Sequence, residues 1–375
     1  MKRFSIFCLP AVVMVGALLL LAACDKDKAT PAPAPEPGPA GPVDLSAAGT
    51  ANCYIVSAPG TYSFKTTKGN SSVAVSVAAA EVLWESFGTE TKPEVGDIIK
   101  SVSYADNRIT FTTPATLKNG NALIVAKDES NQISWSWHIW VCEGYNPLDK
   151  GQVYNNEAGT MMDRNLGATS ATPGEVQALG LMYQWGRKDP ILGAARIGNN
   201  VRAVSTLTWP ASVTTDASCG TVAYAIQHPT TFICGVSSSY DWVFAGDENE
   251  LWTAEKSIYD PCPVGWKVPA GGATDGVWCK ATKKNVKFDC EWDDVNKGVK
   301  FSGILGDDPS IWYPATGRLY VGNGYLQEVG KEAGYWSSTA NGVHSYVLDL
   351  NSNGIVGPCD SGMRSCGRSV RCAKE

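Results

Sequence analysis

The first half of the chain alternates apolar and polar residues with a period of two, in short runs separated by polar turns. Ile109 and Phe111 alternate with threonines directly after Asp106-Asn107, a residue pair typical of tight turns. Roughly eight such runs lie between residues 49 and 143. Because a period of two places alternate side chains on opposite faces of a strand, the pattern predicts an Ig-like antiparallel β-sandwich over residues 49–143.

The last of these runs carries an aromatic stripe. In the sequence ISWSWHIWV, the residues Trp135, Trp137, Ile139 and Val141 occupy every second position. They therefore share one face of a strand. We expect this face to belong to the core of the sandwich.

A polar connector that contains Gly and Pro follows the sandwich, and a second unit is predicted over residues 151–375. Within it, Val176, Leu179 and Tyr183 recur at helical spacing and predict a helix over residues 174–187. The apolar pattern predicts strands at residues 299–303, 311–314, 318–321, 334–337, 345–350 and 369–373. The second unit is thus predicted to be α+β, and the chain as a whole mainly β.

The first residues have the layout of a secretion signal. An apolar run follows a charged start and ends in LAAC, which is typical of a lipobox. We therefore expect a lipoprotein signal peptide at residues 1–23, a lipidated Cys24 and a proline-rich stalk over residues 24–48. The charged run at 25–28 resembles a Bacteroidetes-type signal for surface display, so we expect a surface-exposed lipid anchor in the outer membrane. The alternative is an ordinary signal with an incidental cysteine.

Composition and missing motifs exclude several functions. The chain of 375 residues has 31 Lys and Arg against 37 Asp and Glu, and no basic stripe. Nucleic acid is therefore not an expected partner. No metalloprotease, serine-hydrolase or phosphate-binding motif occurs. The three histidines, His138, His228 and His344, have no partner nearby in sequence. We expect no enzymatic activity and no cofactor.

The cysteines predict disulfides. Of the twelve, Cys8 lies in the signal peptide and Cys24 is the lipidation site. The remaining cysteines are even in number. In an exported chain, an even number of cysteines indicates disulfides. The predicted bridges are Cys53–Cys142, Cys219–Cys234, Cys279–Cys290, Cys359–Cys366 and Cys262–Cys372. The alternative is several free buried thiols, and a zinc site is not expected because the chain has no CxxC pair.

Several motifs of the second unit resemble one family. CPVGWKVP, YWSST and GRSVRC, with MDRNLGA and GLMYQWGRKDP upstream, are similar to the FISUMP (major paralogous domain) surface lipoproteins of the Bacteroidetes type. The resemblance implies a C-type-lectin-like fold over 151–375, with an insertion at about 191–256 where the chain matches least. It also implies a distant relation to formylglycine-generating oxidases. The family has a helix after the GWxxP turn, but three glycines at 270–280 predict that this segment is not helical.

The chain lacks the motifs for oxidase chemistry and for sugar-bound calcium that occur in proteins of related fold. Cys359 and Cys366 lie in a region comparable to that of the oxidase cysteines, but their motif differs, so a structural bridge is favoured. The triplets that hold sugar-bound calcium in C-type lectins are absent. Acidic clusters at 247–250, 291–294 and 307–308 are candidate partial calcium sites, and solvated loops are the favoured interpretation.

Ligand recognition is the function that the second unit predicts best. A Gly-rich segment, where the lectin-like frame has its binding loops, combines aromatic rings with polar side chains that can hold a sugar or a peptide. The candidate ligand-binding residues are Trp312, Tyr313, Arg318, Tyr320, Asn323, Tyr325 and Gln327. For Trp312 and Tyr313 the alternative is a place in the core. We expect a surface adhesion protein for a glycan or protein ligand, with the sandwich as a spacer; the alternative is a structural or tip subunit of a fimbria-like assembly.

Overall fold

The computed structural model describes residues 41–236, 239–246, 248–282, 289–302, 311–354 and 356–375. The predicted signal peptide, the lipidation site Cys24 and the stalk as far as residue 40 lie outside these ranges. From Gly41 to Glu375 the chain forms one compact unit. The stalk does not continue to residue 48, because Val43–Asp44 is a strand that pairs with the sandwich.

The first half forms two four-stranded sheets. Its strands are β1 Val43–Asp44, β2 Cys53–Val56, β3 Thr61–Lys65, β4 Ala79–Ser86, β5 Ser101–Ala105, β6 Arg108–Thr112, β7 Gly120–Lys127 and β8 Ile133–Val141. One sheet has the order β1-β3-β6-β5 and the other β2-β8-β7-β4. Most neighbours are antiparallel as predicted, but the pairs β1–β3 and β2–β8 are parallel. Neither parallel pair is joined by a hairpin, so no turn imposes the antiparallel arrangement.

Local sequence accounts for the turns and the core of the sandwich. Asp106 and Asn107 have φ angles of 52° and 57°, as a two-residue hairpin between β5 and β6 requires. All four residues of the predicted stripe in β8 belong to the buried cluster between the two sheets. In this cluster Trp137 packs against Phe64 of the facing sheet, with 5.2 Å between ring centroids. The core prediction for the stripe is confirmed.

The second half is also built mainly from strands. They are β9 Gly151–Tyr154, β10 Gly159–Met162, β11 Met182–Gln184, β12 Val213–Thr214, β13 Ile233–Cys234, β14 Trp266–Lys267, β15 Asp289–Asp293, β16 Gly298–Ser302, β17 Ile311–Pro314, β18 Arg318–Leu319, β19 Leu326–Gln327, β20 Glu332–Asn341, β21 His344–Asn351, β22 Val356–Met363, β23 Gly367–Ser369 and β24 Ala373–Lys374. The helices are α1 Val222–Gln227 and α2 Val277–Thr282, with 3₁₀ turns at Pro147–Asp149 and Val176–Ala178. The largest sheet has the order β19-β18-β23-β20-β21-β22, with β11 also paired to β23, and smaller sheets are β14-β24-β10-β9, β15-β16-β17 and β12-β13. The described chain is therefore mainly β, as predicted.

Two helix predictions in this half are wrong. Residues 174–187 contain only the short turn Val176–Ala178 and strand β11. Gly180 and Gly186 have φ angles of 73° and 82°, which lie outside the right-handed helical region. Conversely, residues 270–280 are partly helical, because α2 begins directly after the last of their three glycines. Those glycines precede the helix and do not interrupt it.

The end of the chain lies beside the CPVGWKVP segment. β24 pairs with β14 and with β10. Cys262 and Cys372 form a disulfide with their Cα atoms 6.0 Å apart. The predicted bridge between the entrance of this segment and the final strand is confirmed.

The predicted bridge between Cys53 and Cys142 is wrong, and both residues are free buried thiols. Their strands β2 and β8 are neighbours, but the register places Cys53 opposite His138, four positions before Cys142. Four strand residues span roughly 13 Å. A disulfide cannot cover that distance.

Two further predicted bridges are not formed. Cys219, Cys234, Cys359 and Cys366 are all free thiols. The thiol of Cys219 donates to a backbone carbonyl at 3.0 Å, whereas Cys234 is buried in a hydrophobic cluster. Cys359 lies within β22 and Cys366 follows it, so the extended strand holds the two apart. The bridge Cys279–Cys290 stays a prediction.

The predicted domain boundary at 143–151 does not separate two cores. The sheet β2-β8-β7-β4 presents one face to the other sheet of the sandwich and its opposite face to the second half. On that opposite face, Leu123 and Trp140 share a buried cluster with Trp185 and Trp336. The two halves therefore have one hydrophobic core in common.

Candidate functional site

Five of the seven predicted ligand-binding residues lie on the hairpin of β18 and β19. They are Arg318, Tyr320, Asn323, Tyr325 and Gln327. The N–H of Tyr320 donates to the carbonyl of Tyr325 at 2.9 Å, and the N–H of Gly324 donates to the carbonyl of Tyr320 at 2.8 Å. Gly324 has a φ angle of 70°, and a Cβ there would come within 2.8 Å of the Phe232 ring. Only glycine fits this closely packed tip without strain.

The tip of the hairpin presents two tyrosine rings to solvent. Tyr325 is 70% exposed and Tyr320 is 41% exposed. The side-chain oxygen of Asn323 accepts a hydrogen bond from the N–H of Tyr325 at 2.9 Å. The hydroxyl of Ser212 donates to the carbonyl of Asn323 at 3.1 Å. The backbone of the tip is thus fixed, while both tyrosines remain exposed to solvent.

The base of the hairpin is polar and only partly exposed. Arg318 lies opposite Gln327 in the β18–β19 register. The guanidinium of Arg318 forms an ion pair with Glu332. This pairing leaves the charge of Arg318 balanced at the protein surface, so the hairpin as a whole is close to neutral.

The other two predicted residues belong to the core, as the alternative interpretation holds. Tyr313 is fully buried, and its hydroxyl lies 2.6 Å from that of Tyr154 and accepts from the indole N–H of Trp278 at 3.0 Å. Trp312 is 8% exposed, and its carbonyl accepts from Arg371 at 2.8 Å. Because β17 is covered on both faces, neither ring can contact a ligand at the surface.

A polar groove between the two halves is a second surface feature, which the sequence did not predict. It consists of two adjoining pockets of about 440 and 550 Å³, and Asn119, Thr169 and Ser170 line both. One wall is the segment after β4, which includes Phe87, and the other is the 169–177 loop. No local pattern signals the groove, because its walls are far apart in sequence. We call this feature the groove.

The 169–177 loop is held in place by its own hydrogen bonds. The N–H of Thr169 donates to the carbonyl of Gln177 at 3.0 Å. The hydroxyl of Ser170 accepts from the N–H of Thr172 at 3.0 Å. These bonds close the loop on itself, so it forms a preorganised wall.

One end of the groove is lined by an arginine whose charge is balanced. The guanidinium of Arg164 lies 3.9 Å from the ring centroid of Tyr145 and donates to the carboxylate of Asp163 at 2.9 and 3.0 Å. The hydroxyl of Tyr145 donates to the same carboxylate at 2.5 Å. Burial opposes the charge of Arg164, but the bonds to Asp163 outweigh it and raise the pKa of Arg164. This end of the groove therefore carries no unbalanced positive charge.

His138, the histidine of the sandwich, belongs to the packing between the two halves. Burial lowers the pKa of His138 to about 3, and its Nε2 lies 2.8 Å from the side-chain oxygen of Asn121. The amide nitrogen of Asn121 in turn donates to the carbonyl of Gly167 at 2.9 Å. His138 is therefore a neutral residue in the contact between the two halves.

The acidic clusters do not assemble a cation site in the part of the chain that the structure describes. Within it, no three His, Cys, Asp or Glu side chains come together as metal ligands. In the 291–294 cluster, the carboxylate of Asp293 accepts from the N–H groups of Val295 and Asn296, both at 2.9 Å. Residues 247 and 307–308 lie outside the described ranges.

Comparisons with known proteins gave no match. No protein-family model, curated protein or solved structure matches the chain. The resemblance to FISUMP proteins stays a prediction. No helix in the described ranges has the length and apolarity needed to cross a bilayer.

Proposed function

We propose that the protein is a lipid-anchored surface protein that binds a glycan or protein ligand through Tyr320 and Tyr325. In this proposal the first half is an Ig-like sandwich and the second half is a C-type-lectin-like domain. The β18–β19 hairpin takes the role of a lectin binding loop. Lipidation of Cys24 holds the folded chain at the outer face of the outer membrane.

The observation that supports the proposal best is the exposure of two tyrosine rings on one tight hairpin. The chain buries most of its aromatic residues, and nine tryptophans are fully buried. Tyr325, in contrast, is 70% exposed. Exposed aromatic side chains are enriched at recognition surfaces. A tyrosine offers a flat apolar face for a sugar or side chain and a hydroxyl for a hydrogen bond.

The rigidity of the hairpin also favours recognition. Binding to a flexible loop loses affinity because the loop must become ordered. Here the contacts of Gly324 with Phe232 and of Asn323 with Ser212 fix the tip before any ligand arrives. Most of the contact energy of the two rings is then available for affinity.

The test uses immobilised mucin as the probe and the full-length protein in solution. Replacing both rings in the variant Tyr320→Ala/Tyr325→Ala is expected to weaken binding by at least about tenfold, because tyrosines in interface centres commonly contribute more than about 1 kcal/mol each. The matched control is Phe244→Ala, which removes another exposed ring, 53% exposed. Equal binding by the double variant and the wild type would remove the hairpin as the site. A wild type that binds neither mucin nor a panel of extracellular-matrix proteins would contradict the function itself.

A further inference from the structure

We propose that the groove is a second binding site, separate from the tyrosine hairpin, and that it takes a neutral oligosaccharide chain. The groove is lined by residues of both halves. None of the seven residues predicted for ligand binding is among the described residues that line it. The two sites are therefore open to separate tests.

The shape of the groove suits an extended ligand. Its two pockets of about 440 and 550 Å³ share three lining residues, so they follow one another along the surface. Ligand sites commonly have volumes of about 300–1,000 Å³. A chain of several sugar units can occupy both pockets, whereas a single small molecule would fill only one.

The lining has the chemistry that sugar hydroxyls require. Each hydroxyl of a sugar both donates and accepts hydrogen bonds. A sugar site therefore needs side chains that accept hydrogen bonds, such as carboxylates, and side chains that both donate and accept them, such as hydroxyls and amides. The groove supplies such groups from Thr89, Thr91, Thr169, Ser170, Asn119, Gln177, Glu143 and Glu175. The groove therefore brings hydroxyl, amide and carboxylate groups together in one depression of the surface.

Aromatic rings lie in both pockets. Phe87 lines one pocket and Tyr145 lines the other, and both are partly exposed. Aromatic faces pack against the C–H groups of a sugar ring. Phe87 therefore provides an aromatic contact for a sugar in one pocket, whereas Tyr145, stacked against the Arg164 guanidinium, forms part of the wall of the other.

The charges of the groove indicate a neutral ligand. An acidic sugar or a phosphate is bound most strongly by charge-assisted hydrogen bonds from an arginine or lysine. Arg164 is bound to Asp163, and Lys118, 5.8 Å from the Phe87 ring centroid, is bound to Asp97 at 2.6 Å. The exposed carboxylates in the lining would repel an anion. Among the described residues that line the groove, the one cation, Arg164, is thus already paired.

The walls of the groove are fixed before binding. The side-chain oxygen of Asn119 accepts from the N–H of Glu143 at 2.6 Å. The carbonyl of Thr89 accepts from the N–H of Val204 at 3.1 Å, which ties the wall after β4 to the second half. A site with fixed walls loses little entropy when it binds a ligand.

The test screens the full-length protein against an array of neutral oligosaccharides, with sialylated oligosaccharides and oligolysine as comparison probes. The variant Glu143→Ala/Gln177→Ala removes two exposed polar side chains from the lining. We expect it to bind the best neutral oligosaccharide about tenfold more weakly, since two hydrogen bonds are lost. A second variant, Thr91→Trp, inserts a large side chain into one pocket and is expected to abolish binding of the longer chains.

The control is Phe244→Ala, which removes an exposed ring outside both the groove and the hairpin and should bind the neutral oligosaccharide as the wild type does. Thermal unfolding midpoints equal to that of the wild type show that the groove variants are folded. The proposal is overturned if no neutral oligosaccharide binds, or if the groove variants bind it unchanged. Stronger binding of sialylated chains or of oligolysine overturns the ligand class. Failure of mucin binding by the hairpin leaves these outcomes unaffected.

Discussion

Removing the disulfide between Cys262 and Cys372 is expected to destabilise the protein mainly through its unfolded chain. The change is the replacement of both cysteines by alanine in the full-length protein. The bond joins residues separated by 110 positions. A cross-link that closes a loop of this length removes about 4–5 kcal/mol of entropy from the unfolded chain. We expect the free energy of unfolding to fall by at least this amount.

The folded state of the variant should keep its contacts around the missing bond. The N–H of Met162 donates to the carbonyl of Cys372 at 2.8 Å, and the N–H of Glu375 donates to the carbonyl of Gly265 at 3.0 Å. These backbone bonds do not involve the sulfur atoms, so β24 stays paired. The direct native-state loss is then limited to two small voids, on the order of 1 kcal/mol each.

A matched control separates the voids from the loop. Cys53 is a free, fully buried thiol in the same hydrophobic cluster as the disulfide, and its backbone forms a bridge with Pro263. Cys53→Ala creates a comparable void without opening a loop, so it should cost only about 1 kcal/mol. The single variants Cys262→Ala and Cys372→Ala each break the bond. Each should therefore cost nearly as much as the double variant.

Urea unfolding followed by tryptophan fluorescence measures these free energies. Without the cross-link the unfolded chain exposes more surface, so the slope of the unfolding free energy against urea should also become steeper. The reasoning is refuted if the double variant is as stable as the Cys53 control. It is also refuted if the losses of the two single variants add up to that of the double.

Two further predictions concern the contact between the halves. Burial lowers the pKa of His138 from its ordinary value of 6.5 to about 3, so the unfolded chain binds a proton in this interval and the folded chain does not. The stabilisation that the neutral His138 gives to the folded chain is complete above pH 6.5 and decreases by about 4–5 kcal/mol as the pH falls to 3. The variant His138→Gln should flatten this part of a plot of unfolding free energy against pH. An unchanged slope contradicts the prediction. Asn52 donates to two carbonyls of the 258–260 turn at 2.8 and 2.9 Å and accepts from Trp135 at 2.9 Å. Asn52→Ala should lower the urea-unfolding free energy by about 2–4 kcal/mol, whereas the exposed Asn70→Ala, a loss of one bond, should cost less than about 1 kcal/mol; similar losses would contradict the role of Asn52.

The sequence predicted the parts of the fold that depend on near neighbours in the chain. The predicted strand at 311–314 has the same bounds as β17, and Asp106-Asn107 forms the expected turn. Periodicity failed where the backbone conformation of single residues decides the structure. Gly180 and Gly186 adopt positive φ angles and prevent the helix that the spacing of apolar residues predicts.

The second buried face of β8 could not be predicted from the alternation of its residues. Ser136 and His138 are polar and would suit the solvent-facing side of an isolated sandwich. Instead, the hydroxyl of Ser136 donates to Asp189 at 2.5 Å, and Asp189 is paired with Lys188 at 2.7 Å, with all of these side chains buried. The partners are distant in sequence, so only the folded chain brings them together. The same distance in sequence concealed the groove.

The predicted ligand-binding segment divides according to its place in the sheets. Tyr313 and Tyr325 are the same residue type in nearby parts of the sequence, and composition does not separate them. Tyr313 lies in a strand covered on both faces, whereas Tyr325 lies at the tip of a hairpin on the edge of the largest sheet. Edge position is a property of the strand order, which alternation does not encode.

The strand order also changes the interpretation of the sandwich, which was expected to be a spacer. The sheet β2-β8-β7-β4 supplies part of the shared core, and the segment that contains Phe87 forms one wall of the groove. The opposite wall belongs to the second half, so a ligand in the groove would contact both halves at once. Because such a ligand binds only when the halves are packed together, its affinity is linked to the stability of that packing. The hairpin has no such link, since its anchors Ser212 and Phe232 both lie in the second half.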